Sequence, residues 1–216
     1  MYLITFLRHG ESEGNAGGFI QGQSDIPLTE NGLEQAQALA QAWKSEGMWF
    51  HQIVSSPLVR ARQTAEIIAK VLEIPIEFNP VWMERRFGEI EGKSLEEVQQ
   101  QDPPVDFYDP YRAPAKGAET ALDLFMRATQ GLQDILSRPE GAYLVVAHGA
   151  ILNMALYSVL GLSLQNGSSP RFSFGNTGFA SLLYEPAQRQ WWLLGFYNPS
   201  MIVITKGQWE GMQEAT

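Results

Sequence analysis

Short apolar, β-rich runs alternate with amphipathic helical stretches along this chain, and that alternation limits the folds open to it. YLITFL (2–7) reads as a buried strand, as do QIVSS (52–56), IPIEF (74–78) and AYLVVAHG (142–149). Helical patterns lie between them. LTENGLEQAQALAQAW (28–43) starts at Thr29 and sets Leu33, Ala36, Ala40 and Trp43 on one face. SPLVRARQTAEIIAKVL (56–72) offers Ser56 as N-cap and Pro57 as the first helical residue. ETALDLFMRATQGLQDIL (119–136) is a third helix, and AILNMALYSVLG (150–161) is a fourth, stopped by Gly161. TGFASLLYE (177–185) and QWWLLGF (190–196) read as closing strands. This order predicts an α/β fold, a three-layer αβα sandwich around a mostly parallel sheet. No linker divides it, so residues 1–216 are expected to form a single domain.

ERRFGEIEGKS (84–94) reads as a loop feeding a short helix at 94–101. Residues 102–117 hold four prolines and three aromatics, Phe107, Tyr108 and Tyr111, without a period. A loop of that length is expected to serve the site it borders. With 44% hydrophobic residues the chain can bury a real core. Its net charge of −9 argues against a nucleic-acid binder, which would carry a basic field. There are no cysteines, which rules out disulfides, thiolate catalysis and Cys-based zinc sites. The opening MYLITFLRHG is too short an apolar run for a signal peptide, and no run approaches the ~20 residues of a membrane span. A cytoplasmic location is the expectation.

The chain has only three histidines. Two of them, His9 and His148, each follow an apolar strand and precede a glycine, which lets the backbone turn sharply beside a ligand. Arg8 stands next to His9, and Arg60 falls in the first turn of the helix behind IVSS. In open α/β sheets, ligands collect beyond the carboxyl ends of the strands. If these strands are neighbours, Arg8, His9, Arg60 and His148 converge on one rim. Arginine forks and imidazoles suit the oxygens of a phosphoryl group, and a neutral imidazole is a competent nucleophile near neutral pH. The positive end of the helix at Ser56 is expected to add to the same anion site.

LRHGES with Asn15 behind it, SSPLVRARQTA, ERRFGEIEG and VVAHG occur in that order. Together they resemble the histidine phosphatase superfamily, the phosphoglycerate-mutase-like proteins, over roughly residues 1–200. The resemblance implies His9 as the nucleophile that forms a phosphohistidine. It implies Arg8, Arg60 and His148 as ligands of the phosphoryl oxygens, and Glu84 as the proton donor that later activates water. Asn15, Gly22 and Arg85 are the candidate substrate-binding positions. No metal or other cofactor is implied. The expected partners are a small phosphorylated substrate and, at most, a second copy of the chain as a homodimer, with no nucleic acid and no membrane.

RFGEIEGKS resembles the corresponding stretch of broad phosphatases, whereas mutases carry a longer insertion there. The reading is therefore a metal-independent phosphomonoesterase. A 2,3-bisphosphoglycerate-dependent phosphoglycerate mutase is the alternative, and a non-catalytic phospho-ligand binder a weaker one. GAET (117–120) departs from the GGES of the superfamily, which leaves the local turn open. Arg85 and Arg86 have two readings: binding a second substrate anion, or pairing with Glu89 and Glu91. Glu11, Glu13, Arg62 and His51 are expected to be structural or exposed, and the six tryptophans core or interface residues.

Overall fold

Leu144, Val145, Val146 and Ala147 are completely shielded from solvent, so this strand has protein on both faces. It is the fourth of six strands in a computed structural model that describes residues 1–100, 105–107, 109–164 and 170–199. The strands are β1 (Tyr2–Arg8), β2 (Gln52–Ser55), β3 (Ile76–Phe78), β4 (Gly141–Ala147), β5 (Phe179–Glu185) and β6 (Gln190–Tyr197). They lie in the order β3-β2-β4-β1-β5-β6. The first four are mutually parallel, and β5 runs against both β1 and β6. The sheet is thus mostly parallel, as the alternation predicts.

The helices are α1 (Glu13–Ala16), α2 (Glu30–Ser45), α3 (Val59–Leu72), α4 (Leu95–Gln99), α5 (Ala121–Leu136) and α6 (Gly149–Leu160). Side chains alternate across a strand, so β1 and β4 feed two cores. Phe6 and Val145 pack with Leu124 and Leu132 of α5 and Ile151 and Ala155 of α6. Leu7, Leu144 and Val146 pack on the opposite face with Trp43 of α2 and Ala61 and Ile68 of α3. The result is a three-layer αβα sandwich. No helix among the described residues is long and apolar enough to cross a membrane.

Two helix starts differ from expectation. Thr29 caps α2 as predicted, its side chain accepting from the Gly32 amide. Leu33, however, is 38% exposed, and Gly32 takes the buried place in the first turn. A Cβ on Gly32 would lie 1.9 Å from the Glu11 carbonyl oxygen, so the helix end rests directly on backbone. α3 begins at Val59, with Leu58 at the N-cap position and no side-chain cap, rather than at Ser56 and Pro57. The Ser56 hydroxyl oxygen accepts from the Leu58 amide at 3.3 Å and lies 2.8 Å from His148 Nε2. The Val59 amide donates to Asp25 Oδ1 at 2.6 Å, so a distant carboxylate stands where the predicted anion would.

The 84–94 segment is a loop with a 3-10 turn at Gly88–Ile90, leading to α4 through a capping box of Ser94 and Glu97. In GAET, Thr120 performs the capping, with Asp123 completing the box for α5. Of the 102–117 loop, residues 102–104 and Tyr108 lie outside the described residues. Phe107 borders the large cavity described below, and Tyr111 is 79% exposed.

Candidate active site

The parallel pairing of β1 and β4 aligns Arg8 with Ala147, so the next residues, His9 and His148, leave the sheet side by side. The His9 amide donates to the Ala147 carbonyl at 3.1 Å, and the two imidazole rings have centroids 5.1 Å apart. On the other side of β4, Ser56 follows β2 at the same rim, its amide donating to the Val146 carbonyl. Strand order therefore brings His9, His148 and Ser56 together, and α3 adds Arg60 from its first turn.

His9 is 2% exposed, with Nδ1 2.6 Å from the Gly10 carbonyl oxygen. A carbonyl can only accept, so Nδ1 carries the proton and Nε2 keeps its lone pair. Burial, with the Arg8 and Arg60 cations beside it, holds the imidazolium well below its ordinary pKa. His148 is also buried, and burial followed by the Arg60 charge keeps it neutral in the same way.

Arg8 Nη1 donates to the Phe174 carbonyl, and Arg60 Nη1 and Nη2 donate to the carbonyls of Ser24 and Gly22. Burial pulls the Arg60 pKa down to about 10, which leaves it charged at neutral pH. Arg8 Nε, Arg60 Nε and His148 Nδ1 are buried without a protein partner. Buried polar atoms are almost always paired, so three in one cluster point to a polar ligand.

Glu84 follows a 3-10 turn at Pro80–Trp82. Its carboxylate accepts from the backbone amides of Arg85, Ala150 and Ile151 at 2.8, 3.1 and 3.2 Å. The last two belong to the first turn of α6, so that helix directs its positive end at Glu84. Arg8, His9, Gly22, Arg60, Glu84 and Arg85 all line one cavity of about 850 Å³.

The three candidate binding residues fare differently. Gly22 has φ +51° and offers its carbonyl to Arg60; a Cβ there would lie 2.1 Å from Glu91 Oε1. Asn15 is not part of the cavity lining. Its Oδ1 accepts from the Ser12 amide, the Ser12 hydroxyl and Asn176 Nδ2, and Asn176 Nδ2 also reaches the His9 carbonyl. Arg85 does line the cavity, but its donors go to the carbonyls of Glu119 and Phe107. It pairs with neither Glu89 nor Glu91. Glu89 meets Lys116 at 3.5 Å, and Glu91 accepts from Gln23, Ser24 and Phe87. Glu11 accepts from the Thr29 hydroxyl, Arg62 forms an exposed pair with Glu66, and His51 Nδ1 accepts from the Ala142 amide.

Sequence reasoning passed over Arg127 and Glu119. They form a bidentate pair, and Arg127 also donates to the carbonyls of Val81, Met83 and Glu84. Glu119 Oε2 accepts the Arg86 amide as well. Nothing in a helix interior such as ALDLFMRAT marks one arginine as the brace of a segment more than 40 positions away.

The family model of the histidine phosphatase superfamily, branch 1, matches residues 4–198, and the chain belongs to that superfamily. It is similar to "Probable phosphoglycerate mutase GpmB" of Photorhabdus laumondii, 38% identical over 168 residues, covering 75% of this chain and 76% of the relative. It also resembles a phosphoserine phosphatase mutant from Entamoeba histolytica solved with phosphoserine. That pair has a TM-score of 0.77 and 29% identity, with 91% of this chain and 97% of the other covered. Bacillus stearothermophilus YhfR aligns with a TM-score of 0.78 and 28% identity, covering 90% and 96%. The chain is an enzyme of the phosphatase and mutase kind.

Proposed function

We infer that the protein is a metal-independent phosphomonoesterase that hydrolyses a small phosphorylated metabolite through a phosphohistidine. The observation that carries this reading is the His9 ring. Its Nδ1 is fixed on the Gly10 carbonyl, and burial beside two guanidinium groups keeps it neutral. Nε2 attacks phosphorus while the bond to the leaving oxygen breaks, and protonated Glu84 gives that oxygen its proton. Glu84, now a carboxylate, then takes a proton from water as the water oxygen attacks the phosphohistidine. The P–N bond breaks and inorganic phosphate leaves. Arg8, Arg60 and His148 supply donors to the phosphoryl oxygens throughout, where charge stabilisation contributes most.

His9→Ala is expected to abolish phosphate release from p-nitrophenyl phosphate while EDTA leaves the wild-type rate intact. Activity that survives the substitution sinks the mechanism. The second reading is a phosphoglycerate mutase, favoured by the name of the Photorhabdus relative. Against it, Arg85, which could have held a second anion, is committed to two carbonyls. An enolase-coupled assay separates the readings: a mutase interconverts 3- and 2-phosphoglycerate far faster than it releases phosphate.

A further inference from the structure

The cavity is much larger than a phosphoryl group. At about 850 Å³ it lies in the upper part of the range that encloses a drug-sized molecule. Away from His9 its lining includes Phe87, Leu95, Phe107, Met154, Tyr157 and Phe172. Two aromatic pairs stand edge to face, Phe87 with Phe107 at 6.0 Å and Tyr157 with Phe172 at 6.2 Å between centroids.

Two polar side chains of the lining, Arg85 and Asn153, hold the aromatic residues in place. Arg85 Nη1 donates to the Phe107 carbonyl, Nε and Nη2 donate to the Glu119 carbonyl, and the guanidinium lies 5.4 Å from the Phe87 ring centroid. Asn153 Nδ2 donates to the carbonyls of Gly149 and Phe172, and its Oδ1 accepts the Phe172 amide. Gln21, Arg171 and Ser173 line the cavity elsewhere, Arg171 and Ser173 on its exposed side.

We propose that the ester this site cleaves carries an aromatic or bulky apolar group beside its phosphoryl end, seated against the Phe87–Phe107 wall that Arg85 braces. The inference rests on the phosphomonoesterase reading. Ring edges and faces offer a carboxylate no hydrogen-bond donor, so a compact acidic ester loses hydration there without replacement. An aryl or branched group gains burial and aromatic contact instead. Arg85 acts as a positioning residue for the wall and not as a second anion site.

The test compares esters that share an alkyl leaving oxygen, so that leaving-group chemistry does not decide the outcome: 2-phenylethyl phosphate, ethyl phosphate, O-phosphoserine and 3-phosphoglycerate. The expected kcat/KM for 2-phenylethyl phosphate exceeds the other three by at least about tenfold, chiefly through KM. In Phe107→Ala the preference over ethyl phosphate falls by about fivefold or more, and Arg85→Met moves it in the same direction. Equal or better use of O-phosphoserine or 3-phosphoglycerate overturns the proposal, as does a preference ratio that Phe107→Ala leaves unmoved.

If the wild-type enzyme releases phosphate from none of the four, nor from p-nitrophenyl phosphate, the hydrolytic reading has failed. Calorimetry with the corresponding phosphonates then decides the pocket by itself. Tighter binding of the 2-phenylethyl than the ethyl phosphonate, weakened by Phe107→Ala, supports the apolar seat, and equal binding overturns it.

Discussion

His9 Nδ1 lies against a carbonyl at 2.6 Å, and the ring is closed off from water beside Arg8 and Arg60. The desolvation cost and both charges disfavour the imidazolium, so His9 stays neutral below the ordinary imidazole pKa of about 6.5. Histidine ring NMR tests this, since three histidines are readily assigned with single His→Gln variants. The ligand-free His9 resonances should keep the shifts of a neutral Nδ1–H ring below pH 6, and a midpoint near 6.5 would contradict the site's electrostatics. Glycine at 88 is a second residue-level requirement. Its φ is +59°, and a Cβ would lie 2.1 Å from the Lys116 carbonyl oxygen. Gly47 has φ +70° with open space around it. Gly88→Ala should therefore cost more than Gly47→Ala, about 1–3 kcal/mol beyond the shared backbone strain, read as a lower Tm.

Glu84 is held from two sides by elements that meet only in the folded chain. The first turn of α6 binds its carboxylate, and Arg127 of α5 grips the backbone of residues 81, 83 and 84. The Arg127–Glu119 pair is largely buried, so removing one partner strands the other and loosens the segment. Arg127→Met and Glu119→Gln are expected to slow esters with poor leaving groups by about 10- to 100-fold, because those depend on a well-placed acid. 2,4-Dinitrophenyl phosphate, whose leaving oxygen needs no proton, should be far less affected. Glu84→Gln provides the reference. If it shows this leaving-group dependence and Arg127→Met slows all esters alike, the brace does not act through Glu84.

At the scale of the molecule, the site and the stability are linked. His9 and His148 are both buried with pKa values held well below the usual range. Below about pH 6.5 the unfolded chain takes up protons at these positions that the folded chain refuses. Stability is therefore full above that pH and falls as the pH drops through the unfolded-state pKa, by up to about 1.4 kcal/mol per pH unit for each histidine. Urea unfolding at pH 7.5 and 5.5 should show the loss, and His148→Asn should make it shallower; equal midpoints would mean that these rings protonate in place. Phosphate or vanadate at about 100 times its Kd should stabilise by about 2.7 kcal/mol, a rise of roughly 5–10 °C in Tm for a chain of this size. Arg60→Ala should lose most of that rise.

The amino-acid order alone determined the layers and the ends of most elements. Alternating apolar runs, Thr29 before α2 and Gly161 after α6 are local signals, and burial periodicity is a local property of the chain. It also placed Arg8, His9, Arg60 and His148, because each stands at a fixed distance from such a run. Only the tertiary structure decided which polar group meets which. Ser56, the expected cap, meets His148, Arg85 of the candidate set donates to the carbonyls of Phe107 and Glu119, and Gly32 displaced Leu33 from the buried face. A side chain with several donors takes whichever acceptor the packed fold brings near it. Here those partners came from up to 92 positions away, where no local pattern could announce them.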